Sequence, residues 1–516
     1  MKAPFAVLLV LLALAVATGS AGAGENESGF KSSQAAMLAA PSGTVTPIIT
    51  VGETVKGLRF ESIPDGIAMS PRGQGVVDVF VNHETSTVPF PYTPGAGPGA
   101  NQNDFDNAQL SRWRLNQHSA GILSGSMAIT SSENWQRFCS NYLATAKEGF
   151  ERPLLFTNEE ATDFVFRTGQ AWPAPASEPP AQQAGVVVAH DPKSGETRPI
   201  LGMGRHNHEN SVAIPGYGHP VVLSGDDTFT SNPAQSQLYS YIAPSANAVW
   251  NDQGKLYGFR AKDHAAFNDY YDFPIGSTMS VPGEFVEIPR PAAVGTQSQL
   301  EAASDAAEVF QFVRLEDIAY DKRPGKQNVV YVADTGRGAT SAGGNAFTST
   351  NGRVWKLVFN PSNPREATLS ILIEGDDAPV KTLNEIHQPD NLETTQRGLY
   401  ITEDPGSSQQ FPFGSADPNA TTARVWRHDL ASGVNAPVMW VDQSADEGPT
   451  DVDPRGRGNL GAWEASGIID ASSVFGAGVF LINVQAHTLW VEKQEAPDWT
   501  YKREGGQLLL VRLPNA

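Results

Sequence analysis

One cysteine in 516 residues, Cys139, excludes an intramolecular disulfide. A lone thiol in an oxidising compartment is open to oxidation unless it is buried or metal-bound, so Cys139 reads either as a buried small hydrophobe or as a ligand. Basic residues are outnumbered, 36 against 56 acidic ones, and the net charge is -20. That balance excludes binding to nucleic acid through Lys/Arg neutralisation of phosphates, and it disfavours anionic membrane surfaces. Beyond the first residues no apolar run reaches membrane-spanning length. Helical periodicity is scarce, whereas Gly (49) and Pro (37) are abundant, which fits a chain of strands and turns. A nucleophile elbow G-x-S-x-G, a zinc-binding His-Glu-x-x-His and a P-loop are all missing.

The N-terminus reads as a Sec-type secretory signal over residues 1–23. Lys2 precedes an apolar stretch at 7–16, Ala21-Gly22-Ala23 offers a cleavage site, and there is no twin arginine. The expectation is a secreted or periplasmic protein without a membrane span. Residues 24–44 would be a linker and 45–516 one domain.

That domain carries a repeat of about 70–80 residues, which takes precedence over local readings. Each copy has an acidic motif running into an apolar residue, then a turn, then a β-rich run ending in carboxylates or amides. The copies start at Asp65, Glu209, Glu316, Asp390 and, more loosely, Glu464; a sixth has Cys139 in the acid's place. The β-rich runs are VVDVFVNHE, LLFTNEE, VVLSGDD, VVYVAD and LYITED, with a last one from Val479 to Gln485. Four strands make a propeller blade, so six copies predict an all-β, six-bladed β-propeller with loop insertions and a central metal-binding channel. Equivalent positions would form a ring at the channel: Asp65, Cys139, Glu209, Glu316, Asp390 and Glu464. Carboxylates facing one channel repel unless their pKa values rise or cations neutralise them, and the acidity of the chain favours calcium. A thiolate suits iron or zinc better than calcium. The longest gap, between Asp227 and Asp334, predicts an insertion at about 256–307 with a short helix at 302–310. Residues 93–103, 171–184 and 336–352 read as Gly- or Pro-rich loops. His206 and His208 would share a strand face, but they have no recognised zinc spacing and read as packed or supporting side chains.

Arg314-Leu315-Glu316-Asp317-Ile318 followed by Val329-Val330-Tyr331-Val332 resembles the PhoX-type alkaline phosphatases. So do Val81-Asn82-His83-Glu84, the run from Gly204 to Asn210, and Cys139 followed by Glu159-Glu160. The resemblance implies an exported, metal-dependent phosphomonoesterase with calcium and iron(III) in the channel. It implies Cys139 as an iron ligand, Glu209 and Glu316 as carboxylate ligands, and Asp390, Glu159 and Glu160 as further ligands. Arg314 would face the phosphate of a small phosphorylated substrate, with Glu316 on the same strand face holding a metal beside it. The chain departs from the family pattern in three places. Residues 140–149 (SNYLATAKEG) replace a Trp-Gly-Thr segment, Leu315 replaces a proline, and the signal is Sec-like. A calcium-dependent lactonase or esterase and a non-catalytic calcium-binding scaffold are the alternatives, and a monomer is expected in each case.

Overall fold

The computed structural model describes residues 29–85, 107–165, 182–228, 230, 233–337, 351–376, 385–404, 422–444, 463–493, 502–514 and 516. The expected signal, the 93–103 loop and most of the 171–184 and 336–352 loops lie outside them. Among the described residues the chain is all-β and propeller-like, and no helix is long and apolar enough to cross a membrane.

Six strands begin at the repeat's acidic position: Pro64–Gly73, Phe138–Ala144, His208–Ala213, Leu315–Tyr320, Pro389–Thr394 and Glu464–Asp470. We call them the inner strands, first to sixth. Each pairs antiparallel with the strand that follows it: Val76–His83, Leu154–Glu159, Val221–Asp226, Val329–Asp334, Gly398–Glu403 and Val479–Lys493. The inner strands pack side by side in sequence order, and the sixth returns to the first, so they enclose a common channel. Buried Val, Ile, Leu and aromatic side chains fill the spaces between sheets, among them Trp113, Trp355 and Trp426 on third strands. All three tryptophans also reach polar partners: Trp113 Nε1 donates to Ser111 Oγ at 2.8 Å, Trp355 Nε1 to Asp334 at 3.1 Å and Trp426 Nε1 to Glu403 at 2.7 Å.

Six separate blades are not what the sheets show. Among the described residues three sheets have four strands, one has five, one has nine, and two small ones have two. The nine-stranded sheet starts at the third inner strand, ends at the fourth, and brings those two edges back beside each other as a nearly closed barrel. The join is made by Val281–Glu287, which pairs with Asn363–Glu374 from Val281↔Leu369 to Glu284↔Glu366. This extra strand comes from the expected insertion. The helix there runs Gln297–Ala306, earlier than expected, because Thr296 and Gln299 form a capping box that starts it.

The 24–44 segment is not all linker. Leu38–Ala39 adds a fifth strand beside Asn435–Val441, because Met37 and Leu38 carry apolar side chains that bury there. Thr44–Thr50 pairs with Lys502–Arg512 and joins the two ends of the chain in one sheet.

Candidate metal centre

Every inner strand has a register shift against its partner at the channel position. The skipped pairs are Asp65-Gly66, Cys139-Ser140, Glu209-Asn210, Glu316-Asp317, Asp390-Asn391 and Ser466-Gly467. A bulge re-aims side chains, and here it turns one residue of each strand into the channel. The register corrects the sixth member of the expected ring. Ala465 pairs with Val484 as Pro64 pairs with His83, so Ser466 occupies the place read as Glu464. Ser466 Oγ donates to Asp65 Oδ1. Glu464 lies two residues earlier, buried, 3.6 Å from His487, and its carboxylate still stands among the channel acids: burial, with Asp404, Glu84 and Asp65 adding to it, pushes its pKa well above the usual range.

A second ring comes from the ends of the partner strands. Successive strand residues face opposite ways, so each terminal doublet splits. The first member latches the sheet. Glu159 accepts from Gln136 N at 2.9 Å and Val186 N at 3.2 Å. Asp334 accepts from Arg314 N at 2.9 Å, and Glu403 from Arg424 N at 2.9 Å. The second member, Glu84, Glu160, Asp227 or Asp404, turns toward the channel. Glu159 is thus a structural acceptor and not part of the cluster, whereas its neighbour Glu160 is part of it. Glu84, Asp227 and Asp404 escaped the sequence reading, although the doublets His83-Glu84, Asp226-Asp227 and Glu403-Asp404 carried the signal.

Possible ligand atoms gather in three linked groups, each within 4.8 Å: Asp65, Glu84 and Cys139; Cys139, Glu160 and Glu209; Glu209, Glu316 and Asp390. Cys139 Sγ is 2.6 Å from Asp65 Oδ2. Burial, reinforced by neighbouring carboxylates, pushes Glu160, Glu209 and Asp390 well above the usual carboxylate range. Burial does the same to Glu316 against the pull of Arg314, and it raises Glu84 to about 8. It also raises the Cys139 thiol, with Asp65 and Glu209 adding to the effect. A cation would reverse each of these shifts. Both carboxylate oxygens of Glu209 are buried with no hydrogen-bond partner. A donor set of carboxylates plus one thiol, with such an orphan at its centre, fits bound metal.

Arg314 does not stand open to a substrate. Its Nε and Nη2 each lie 2.8 Å from Asp227, Nη2 lies 2.5 Å from Glu316, and Nη1 lies 3.9 Å from Asp404. It bridges the two rings as a buried countercharge. Arg337, half-buried, stands close enough to Arg314 that burial and that neighbouring charge lower its pKa. His206 and His208 lie ring against ring, centroids 3.5 Å apart and tilted by 38°, outside the metal-ligand groups among the described residues. His208 is held by Ser224 and the Gly204 carbonyl.

The model of the alkaline phosphatase PhoX family matches residues 126–435. The chain belongs to the PhoX family. The matched span includes Cys139, Glu160, Glu209, Arg314, Glu316 and Asp390 and therefore most of the cluster. Membership implies a metal-dependent phosphatase. No curated protein matches the sequence. Among solved structures, a protein of unknown function from Dyadobacter fermentans is 8% identical (TM-score 0.43, 92% of this chain and 100% of that one). The NanB sialidase of Streptococcus pneumoniae is 7% identical (TM-score 0.39, 90% and 70%). The α-L-arabinanase of Penicillium chrysogenum is 7% identical (TM-score 0.40, 91% and 98%). At these scores none of them bears on the chemistry.

Proposed function

We propose that this PhoX-family protein is an exported, monomeric phosphomonoesterase whose channel holds calcium together with iron(III) on Cys139. The observation that carries the reading is the buried Glu209 carboxylate, which has no partner and sits between two groups of ligand atoms. On this reading the nine-stranded sheet is two blades fused at their outer edges, which makes the ring six-bladed. Cys139, Glu160 and Glu209 hold one part of the metal cluster, and Glu209, Glu316 and Asp390 hold another. Bound cations supply Lewis acidity and a water of lowered pKa. Asp227, Glu316 and Asp404 hold the Arg314 guanidinium in place within the channel, so its charge is oriented before a phosphate arrives. Arg337 adds a second positive group on that side. The two arginines offset the charge that gathers on the phosphoryl oxygens in the transition state.

Elemental analysis and an aryl phosphate assay on protein purified without chelator test the reading. Calcium and iron should both be present, turnover should stop with chelator, and Arg314→Ala should lose at least about a hundredfold in kcat, as loss of one strong transition-state donor does. Fully metallated protein that turns over no phosphomonoester would overturn it.

A further inference from the structure

Below the acid cluster the inner strands enclose a second cavity of about 340 Å³. Its walls are residues that follow the ring positions, such as Ile67 and Met69, Tyr142 and Leu143, and Ile318 and Tyr320. It therefore extends along the inner strands away from the cluster, toward the opposite face. Its inner end is polar, formed by Ser140, Asn141, Asn210, Asp317 and Asn391.

The hydrogen bonds there leave acceptors over. Asn141 is only 6% exposed, and its Nδ2 donates to Gly66 O and to Asn82 Oδ1, both at 2.9 Å. Those bonds fix the amide's orientation, and Asn141 Oδ1 has no partner. Asn391 is 2% exposed; its Nδ2 donates to Ser140 Oγ at 3.0 Å, and its Oδ1 is also without a partner. Asp317 Oδ2 accepts from Leu392 N at 2.8 Å and keeps a further lone pair. Three strands thus present oxygens to one cavity, without a nitrogen or sulfur acceptor among them. Two lysines line its outer part: Lys322 is paired to Glu393, and Lys147 lies over the Tyr320 ring, 5.9 Å from its centroid.

We propose that this layer is a second cation site, of the hard, oxygen-ligated calcium class, distinct from the cluster above it. Asp317 supplies the charge, Asn141 Oδ1 and Asn391 Oδ1 supply neutral oxygens, and waters from the open side complete the shell. The site has no thiolate and is entered from the far face. It takes calcium whether or not the cluster above turns over phosphate esters.

The test is a count followed by a location. Full-length protein and Asn391→Leu are saturated with calcium, desalted and analysed for metal content. The variant should hold one calcium equivalent fewer, with its iron unchanged. In case the variant does not fold, wild-type crystals grown in calcium and then in terbium are measured for anomalous scattering. A peak between Asn141, Asp317 and Asn391, in addition to those in the cluster, is the expected result. An equal calcium count in both proteins, or only water-level density in the cavity, overturns the proposal.

Discussion

Glu159→Ala and Glu160→Ala should fail in different ways, although the two residues are adjacent. Glu159 holds two buried backbone N–H groups, and their loss costs roughly 1–3 kcal/mol each. Its variant should show a lower urea midpoint and near-normal metal content when folded. Glu160 sits among Cys139 and Glu209, so its variant should lose metal while its metal-free form is no less stable than the metal-free parent. The same urea shift in both variants would refute the split assignment. The sequence showed the doublet but not which member faced inward, because that depends on strand register and not on composition. His190 provides a pH test away from the channel. Burial lowers its pKa from 6.5 to about 4. A depressed value means that its contribution is intact above pH 6.5 and is lost as pH falls through about 4. His190→Gln should therefore flatten the acid-side loss of stability between these limits, by at most about 3 kcal/mol. Denaturation midpoints at pH 4 and pH 7 read the difference, and an unchanged slope would rule this out.

The first inner strand meets both of its neighbours closely at glycines. A Cβ on Gly66 would lie 2.4 Å from Asn141 N and 2.7 Å from Ser140 C, both backbone atoms that cannot rotate away. On Gly467 it would meet Asp65 O at 2.4 Å. The first strand is thus pressed between the sixth and the second, which sets Asp65 beside Cys139. Gly66→Ala should cost about 1–3 kcal/mol by overpacking and should weaken metal retention, since it separates Asp65 from Cys139. Metal content after dialysis checks this, and full retention would show that the close approach is not needed. The repeat itself was legible because strand, turn and acid recur in order. Its sixth copy was misaligned by two residues because Glu464 offered an acid, whereas the bulge follows Ser466-Gly467. The nine-stranded sheet was not legible at all. Its join depends on Val281–Glu287, a strand in the insertion that has no counterpart in the other copies.

At the scale of the whole molecule, the ring of sheets must hold a channel full of like charge, and its ends must therefore be fastened. Thr44–Thr50 does so by pairing along Lys502–Arg512 and burying Ile48 and Ile49 completely. Deleting residues 1–50 removes that pairing, the Leu38–Ala39 strand and the buried Met37, Leu38, Ile48 and Ile49 side chains, worth about 1.5–3 kcal/mol each. It also leaves Lys502–Arg512 as an edge strand with unpaired N–H and C=O groups, a template for association between chains. The shortened protein should have a urea midpoint lower by the equivalent of at least about 3 kcal/mol, on the same burial scale. It should elute as dimers or larger species on size exclusion with light scattering. Metal should amplify the contrast, because ligands that bind only the folded form stabilise it by about 2.7 kcal/mol at a hundredfold excess over Kd. Chelator should therefore lower the intact protein toward the truncated one, and saturating calcium should rescue the truncated form only in part. A truncated chain that stays monomeric, with the parent's midpoint in chelator, would show that the inner strands close the ring without this strand.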